Sequence, residues 1–247
     1  MAANVVMRVW RGDAGGGEFR DYEVVAEEGE VVLDVLHRVQ ASQAGDLALR
    51  WNCKAGRCGS CSAEINGLPR LTCMTRMNLF PQDEPVIVAP MSTFPLIRDL
   101  VTDVSLNYET AKKVPPFVPR PREPDGTYRM QQADIDRVQE FHRCIECFLC
   151  QNVCHVLRTH ELKHQFAGPR FFVRVAGLEM HPIDGADRMK YLKDEAGIGF
   201  CNITKCCSEV CPEHIHITDN AIIPLKERLV DQFYDPVARL FRKFIGG

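Results

Sequence analysis

No stretch of this chain approaches the ~20 consecutive apolar residues needed to cross a bilayer, so the sequence predicts no membrane-spanning helix. Charge of one sign is not in surplus either. The net charge of −3 gives no basic excess to draw the chain onto nucleic acid. There is no G-x-G-x-x-G fingerprint and no P-loop, which removes the usual dinucleotide and nucleotide-phosphate readings. No Ser/His/Asp set or paired-carboxylate constellation stands out, so nothing points to bond chemistry carried out by side chains. The opening residues 1–7 read as a short lead into a strand, neither a secretory signal nor an Arg/Ser-rich transit peptide. That predicts a protein working in a reducing cytoplasm. What remains is ordinary globular composition, 45% hydrophobic and 26% charged, over 247 residues, enough for two domains.

Cysteine is what the chain has in quantity, 12 residues in all. A disulfide framework fits poorly, because no export signal is present, the chain can bury a core, and the cysteines are bunched. All but Cys206 fall into two spacing patterns. The first is Cys53-x4-Cys58-x2-Cys61, with Cys73 after a gap of eleven residues. This is plant-type ferredoxin spacing and predicts one 2Fe–2S cluster. The second is Cys144-x2-Cys147-x2-Cys150-x3-Cys154, completed by Cys201-x5-Cys207-x3-Cys211-Pro212. It follows the bacterial two-cluster logic, in which the last cysteine of a run binds the other cluster. Cys144, Cys147 and Cys150 then bind one cluster, with Cys211 returning as its fourth ligand. Cys154, Cys201 and Cys207 remain, and three ligands suit a 3Fe–4S cluster.

Thiolates are soft ligands for iron–sulfur units or zinc. A four-cysteine zinc site normally shows two short pairs around a longer spacer, unlike either set here. Cys206 is read as a buried small hydrophobe, with use as an alternative fourth ligand left open. Gly56 and Gly59 flank Arg57-Cys58, where glycine lets the backbone wrap a cluster and aim N–H groups at its sulfurs. Such bonds raise the reduction potential by stabilising the more negative reduced state.

The pattern around these cysteines predicts an α+β chain. Residues 5–10 and 19–25 read as a strand hairpin around a glycine-rich loop at 12–17, and 31–43 as an amphipathic helix. Asn66-Gly67 marks a second hairpin that folds Cys73 back towards the first cysteine loop. With a last strand at 86–88, this is the layout of a β-grasp ferredoxin-like domain, taken as 1–110. Residues 96–106 read as helix. Residues 114–124 hold five prolines and read as an extended linker. From there the chain reads as an all-helical cluster domain, 111–247, with helices near 132–142, 171–180, 187–196 and 218–233. The basic, amphipathic end at 236–245 reads as a helix packed on a partner or on its own domain, with the bilayer interface as the alternative.

Three segments carry a family resemblance: Trp51-Asn52-Cys53-Lys54-Ala55-Gly56-Arg57-Cys58-Gly59-Ser60-Cys61, Cys144-Ile145-Glu146-Cys147-Phe148-Leu149-Cys150 and Cys207-Ser208-Glu209-Val210-Cys211-Pro212. With them, the chain resembles the iron–sulfur subunit of succinate dehydrogenase and fumarate reductase, and the likeness spans nearly its whole length. The resemblance implies three clusters in line. The 2Fe–2S cluster would lie near a partner flavoprotein that carries FAD and the dicarboxylate site. The 4Fe–4S cluster follows, then the 3Fe–4S cluster near a quinone site completed by a membrane anchor, often with haem. It also implies attachment to the cytoplasmic face of a bacterial membrane through that anchor.

Two departures stand out. Many ubiquinone-reacting members have proline after the Cys154 position, tryptophan a few residues on, and histidine after the Cys201 position. Here the residues are His155, Thr159 and Asn202. The expectation is a different pocket, or a different quinone such as menaquinone, with His155, Arg158 and Asn202 as the quinone-proximal residues. His155, His160 and His164 sit at helix-like offsets and read as an ordinary polar helix face. His214 and His216 read as a surface loop. The leading reading is the electron-transfer subunit of a succinate:quinone oxidoreductase. A fumarate reductase or another flavoprotein oxidoreductase is the redox alternative, and a zinc-stabilised interaction module the non-redox one.

Overall fold

The computed structural model describes residues 3–160 and 162–236. Two compact units emerge, and they interleave along the chain. The first comprises Met1–Leu106, Ile145–Val153 and Val210–Pro212, and the second Asn107–Cys144, Cys154–Glu209 and Glu213–Gly247.

The first unit is a mixed sheet with a helix packed across it. β1 (Ala3–Asp13) and β2 (Gly16–Ala26) form an antiparallel hairpin in register from Ala3↔Ala26 to Asp13↔Gly16. The expected glycine loop at 12–17 is therefore mostly strand, and only Ala14 and Gly15 turn. Glycine is needed there because a Cβ on Gly12 would stand 2.3 Å from the Gly16 carbonyl oxygen. β5 (Val86–Ala89) runs parallel to β1, β3 (Ser62–Ile65) pairs antiparallel with β5, and β4 (Leu68–Leu71) lies outside β3. Asn66 and Gly67 turn between β3 and β4 with φ of 47° and 78°, as a two-residue hairpin of this sense requires. β6 (Leu96–Arg98) and β7 (Val101–Thr102) complete the order β4-β3-β5-β1-β6-β7.

α1 (Val32–Ser42) buries Val32, Leu33, Val35, Leu36 and Val39, the stripe that its 3.6-residue periodicity predicts. These side chains meet Met7, Val9, Val86 and Val88 of the sheet in the core. Each such side chain contributes about 1.5–3 kcal/mol on burial. At the N-terminus of α1, Asp34 reaches back to accept from the Val31 amide at 3.3 Å.

The helix expected over 96–106 is missing up to residue 104. Two short strands stand in its place, and α2 (Ser105–Lys113) begins only afterwards. Asp99 is the cause. It sits in the left-handed region with φ 48° and is buried. Its carboxylate accepts from the amides of Gly12 at 3.0 Å and Ala48 at 2.8 Å, and from Arg11 Nε at 3.1 Å. Those long-range bonds hold a turn that a continuing helix would break.

The second unit is helical. α3 (Gln132–Gln139) runs into a 3₁₀ turn at Glu140–Arg143. α6 (Pro169–Glu179) starts with Gly168 at φ 93° and proline in the first turn. It buries Phe171, Phe172, Val173, Val175 and Ala176. α7 (Met189–Asp194) is shorter than expected. The helix read over 218–233 divides into a wide π-type turn, Ile217–Ile222, and α9 (Ile223–Phe233). Pro224 has no amide hydrogen to give to the preceding turn, which loosens the winding there. The basic terminal segment from 237 onward lies outside the described residues.

The proline-rich stretch contains neither helix nor extended strand, as expected, but it is held to its own unit. Arg188 is fully buried. Its guanidinium donates to Asp184 Oδ2 at 2.7 Å, to the Pro116 carbonyl at 2.7 Å and to the Pro115 carbonyl at 3.0 Å. The backbone then bridges at Pro119↔Asp184, with Gly185 donating to the Val118 carbonyl at 2.7 Å. Replacing Arg188→Ala leaves the buried Asp184 carboxylate with only the amides of Val118 and Ala186 and no cationic partner, a loss of about 3 kcal/mol. The expected outcome is a lowered unfolding midpoint together with faster proteolysis within residues 117–130. Unchanged cleavage there would show that the strap does not depend on Arg188.

Candidate metal centres

The first thiol set is assembled by the loop between α1 and β3 and by the turn after β4. Cys61 and Cys73 are buried, Cys58 is half-buried and Cys53 is exposed. The Cys53 sulfur accepts from the amides of Arg57 at 3.2 Å and Ala55 at 3.4 Å. Burial works against the Cys58 thiolate. The amides of Cys53 and Ser60, the Ser60 hydroxyl and the Cys53 thiol outweigh it and hold the Cys58 pKa at about 6. Burial, then contact with the Cys61 thiol, pushes Cys73 up to about 12, opposed by the Gly56 amide. Cys53 acts on Cys73 as well, which links the two pairs. Gly56 and Gly59 have φ of 67° and 69°, in the left-handed region that turns amides inwards. A Cβ on Gly59 would stand 2.7 Å from Cys147 Cα, so this glycine also permits a close backbone approach.

That contact leads to the second set. Residues 145–153 pack within the first unit. The Ser62 hydroxyl lies 2.9 Å from the Cys147 carbonyl and 3.0 Å from the Gly59 carbonyl, so both accept from one donor. Asn152, fully buried in α4 (Leu149–Val153), accepts from the Thr93 amide at 3.0 Å and donates to Glu64 at 2.8 Å. Cys61 and Cys73 share one apolar cluster with Cys147, Leu33, Leu71, Met91 and Leu149, and Val210 packs against it beside Cys211. Cys147, Cys150 and Cys211 fall in the first unit, and Cys144 belongs to the second.

The third set lies wholly in the second unit. Cys154 precedes α5 (His155–Arg158), Cys201 follows a 3₁₀ turn, and Cys207 lies in α8 (Cys206–Glu209). Burial raises the Cys154 thiol to about 11, while the amides of Leu157 and Val156, aimed at its sulfur, pull the other way. Burial raises Cys207 to about 12, and the Thr218 hydroxyl, 3.4 Å from its sulfur, opposes that rise.

Non-glycine residues with positive φ cluster in these loops: Lys54, Glu146, Phe148, Ile203, Lys205 and His214. Each such conformation is strained by about 1–3 kcal/mol in the absence of a ligand or a compensating network. Alternating left- and right-handed residues point successive amides into a concavity that suits anions, including iron–sulfur units. The sequence reading found the two glycines but missed these residues, because nothing in Glu, Phe, Ile or Lys side chains announces a left-handed backbone.

The fit is one of donor chemistry. The assembled groups are thiols surrounded by inward amides and apolar side chains, which suit an anionic iron–sulfur unit. Among the described residues, no group of three or more His, Cys, Asp or Glu is gathered tightly enough for a single metal ion.

Of the other residues singled out, His155 is half-buried and its Nδ1 lies 3.5 Å from Thr204 Oγ1. Its Nε2 is buried with no hydrogen-bond partner among the described residues. Arg158 and Asn202 are exposed. The three histidines do not share a helix face, because α5 ends at Arg158 and the chain turns, with Leu162 donating back to Val156. His216 is exposed and tied to Glu140, which accepts from its amide at 2.6 Å. Cys206 is half-buried rather than buried.

Comparison with known proteins adds an independent line. Residues 6–109 match a family described as a 2Fe-2S iron-sulfur cluster binding domain, and 140–215 one described as a 4Fe-4S dicluster domain. The fumarate reductase iron-sulfur subunit of Mycobacterium tuberculosis is 36% identical over 202 residues, 80% of each chain. The succinate dehydrogenase iron-sulfur subunit of Bacillus subtilis is 31% identical over 204 residues, 79% of this chain and 74% of that one. A chain of the Mycobacterium smegmatis Sdh1 complex in the apo form superposes with a TM-score of 0.93 at 63% identity, covering 96% of this chain and 100% of that one.

Gly59→Ala introduces both a left-handed strain and a clash with backbone that cannot swing aside. The expected result is a destabilised first unit and less iron and acid-labile sulfide bound per chain, measured by elemental analysis beside thermal unfolding. A wild-type iron content would show that the loop yields without loss.

Proposed function

The chain belongs to the iron–sulfur subunits of succinate dehydrogenase and fumarate reductase, and from that premise we propose how its thiols divide the work of electron transfer. Cys53, Cys58, Cys61 and Cys73 hold a 2Fe–2S cluster. Cys144, Cys147, Cys150 and Cys211 hold a 4Fe–4S cluster, and Cys154, Cys201 and Cys207 a 3Fe–4S cluster. When bound, such clusters supply one-electron redox chemistry.

The observation that carries this reading is the apolar cluster shared by Cys61, Cys73 and Cys147. It brings Cys147 of the second set into apolar contact with Cys61 and Cys73 of the first, as a relay needs. The chain's residues then do three things. Thiolates fix the irons. Inward amides, such as those of Arg57 and Ala55 on Cys53, favour the more negative reduced state. Buried leucines and methionine keep solvent out of the path.

In this reading a flavoprotein with FAD meets the first set. A membrane anchor, with or without haem, and a quinone meet the third. No helix among the described residues is long and apolar enough to cross a membrane, so attachment to the cytoplasmic face of the membrane falls to the anchor. Exposed Phe200 and Ile203, on either side of Cys201 and Asn202, give the third set an apolar rim suited to such a partner. The same parts carry electrons from succinate to quinone or from quinol to fumarate.

His155, Arg158 and Asn202 are the quinone-proximal candidates. The buried Nε2 of His155 is a donor or acceptor available to a quinone oxygen. With no proline at 155 and no histidine at 202, the reading favours menaquinone.

EPR of anaerobically purified complex is the test of the cluster assignment. Cys73→Ser is expected to alter the 2Fe–2S signal alone; loss of every cluster signal from folded protein would contradict the division of ligands. For the pocket, the complex assayed with both quinone types is expected to turn over faster with menaquinone analogues, and a clear preference for ubiquinone would refute the choice.

A further inference from the structure

Cys206 is the cysteine that neither spacing pattern uses. It opens α8 beside buried Cys207 and is itself half-buried. Its sulfur lies 3.3 Å from Thr204 Oγ1, which lies 3.5 Å from His155 Nδ1. The loop 201–205 thus folds back over the segment that begins at Cys154. Ile203 and Lys205, with φ of 62° and 64°, make that reversal. Two strained non-glycine residues in so short a loop mark it as shaped for a ligand. Cys206, adjacent to Cys207 and linked through Thr204 to the residue after Cys154, is thus a further thiol beside a set of three, where a three-iron cluster needs three.

Four cysteine thiolates are the ordinary complement of a 4Fe–4S cluster. Resting on the assignment of a 3Fe–4S cluster to Cys154, Cys201 and Cys207, we propose that Cys206 is a reserve iron ligand that lets this site take up a fourth iron. The step is a ligand addition. The one-electron-reduced three-iron unit, a state that the relay itself supplies, accepts one Fe(II). The Cys206 sulfur bonds that iron, and the thiol proton passes to water. The electron count of protein plus added Fe(II) is unchanged. Mild reoxidation leaves that four-iron unit intact; only a strong one-electron oxidant such as ferricyanide, with release of Fe(II), returns the original site, so the third centre responds to ferrous iron as well as to electrons.

The test uses the whole complex, purified without oxygen, treated with ferrous ammonium sulfate and dithionite, desalted and reoxidised mildly. Wild type is expected to lose its oxidised three-iron EPR signal and to gain one iron per chain, with Mössbauer spectra of isotopically enriched iron showing the added metal in a four-iron unit. Cys206→Ala and the nearly isosteric Cys206→Ser are expected to keep the signal and gain no iron. Thr204→Ala is expected to convert as wild type does. The 2Fe–2S signal of the same samples reports that each variant is folded. A wild type that keeps its three-iron signal, a Cys206→Ala protein that converts equally well, or a Thr204→Ala protein that cannot convert would each overturn the role of Cys206. A starting complex with no three-iron signal would instead overturn the cluster assignment beneath it.

Discussion

One hydroxyl and one missing side chain govern how closely two thiol loops can approach. Ser62 offers a single hydrogen to the carbonyls of Gly59 and Cys147, and Gly59 leaves room for the Cys147 backbone where any Cβ would collide. The consequence is that Cys61, Cys73 and Cys147 become neighbours in one apolar cluster. The buried pairing of Asn152 with Thr93 and Glu64 repeats the same constraint further along. Polar groups taken out of water in this way must find partners, so the register of residues 145–153 on the sheet unit is specified by hydrogen bonds and not by apolar contact alone.

Electrostatics follows from that packing. Burial alone disfavours thiolates, as the raised Cys73, Cys154 and Cys207 values indicate. Amides turned inward by left-handed residues oppose it, and around Cys58 they prevail. The loops therefore carry backbone strain in exchange for positive ends of N–H dipoles at the Cys53, Cys58, Cys73 and Cys154 sulfurs, an arrangement that suits a bound anionic group.

Much of this was legible in the sequence. The two cysteine spacings, the Asn66-Gly67 turn and the apolar stripe of α1 rest on local rules that a neighbour-by-neighbour reading can apply. The misreadings share a cause. Asp99 cuts a helix-like run through bonds to Gly12, Ala48 and Arg11, residues far away in the chain. Arg188 binds a supposed linker through carbonyls more than seventy residues earlier. Gly12 and Gly17 look like loop residues, yet serve a hairpin whose strands nearly touch. Left-handed Glu146, Phe148, Ile203 and Lys205 follow from the demands of the thiol loops and not from their own side chains. Tertiary constraint, invisible at short range, decided each of them.

The interleaving of the two units bears on biosynthesis. The sheet-bearing unit is not complete until residues 210–212 have joined it. An emerging polypeptide therefore displays a nearly finished ferredoxin scaffold, with the surface later covered by 145–153 still bare, while most of the remainder is still on the ribosome. Such long sequence separations slow folding and prolong exposure of apolar surface. An assembly factor that shields this bare face, or delays iron delivery until the C-terminal third has been released, would act at the step where the nascent chain is most vulnerable.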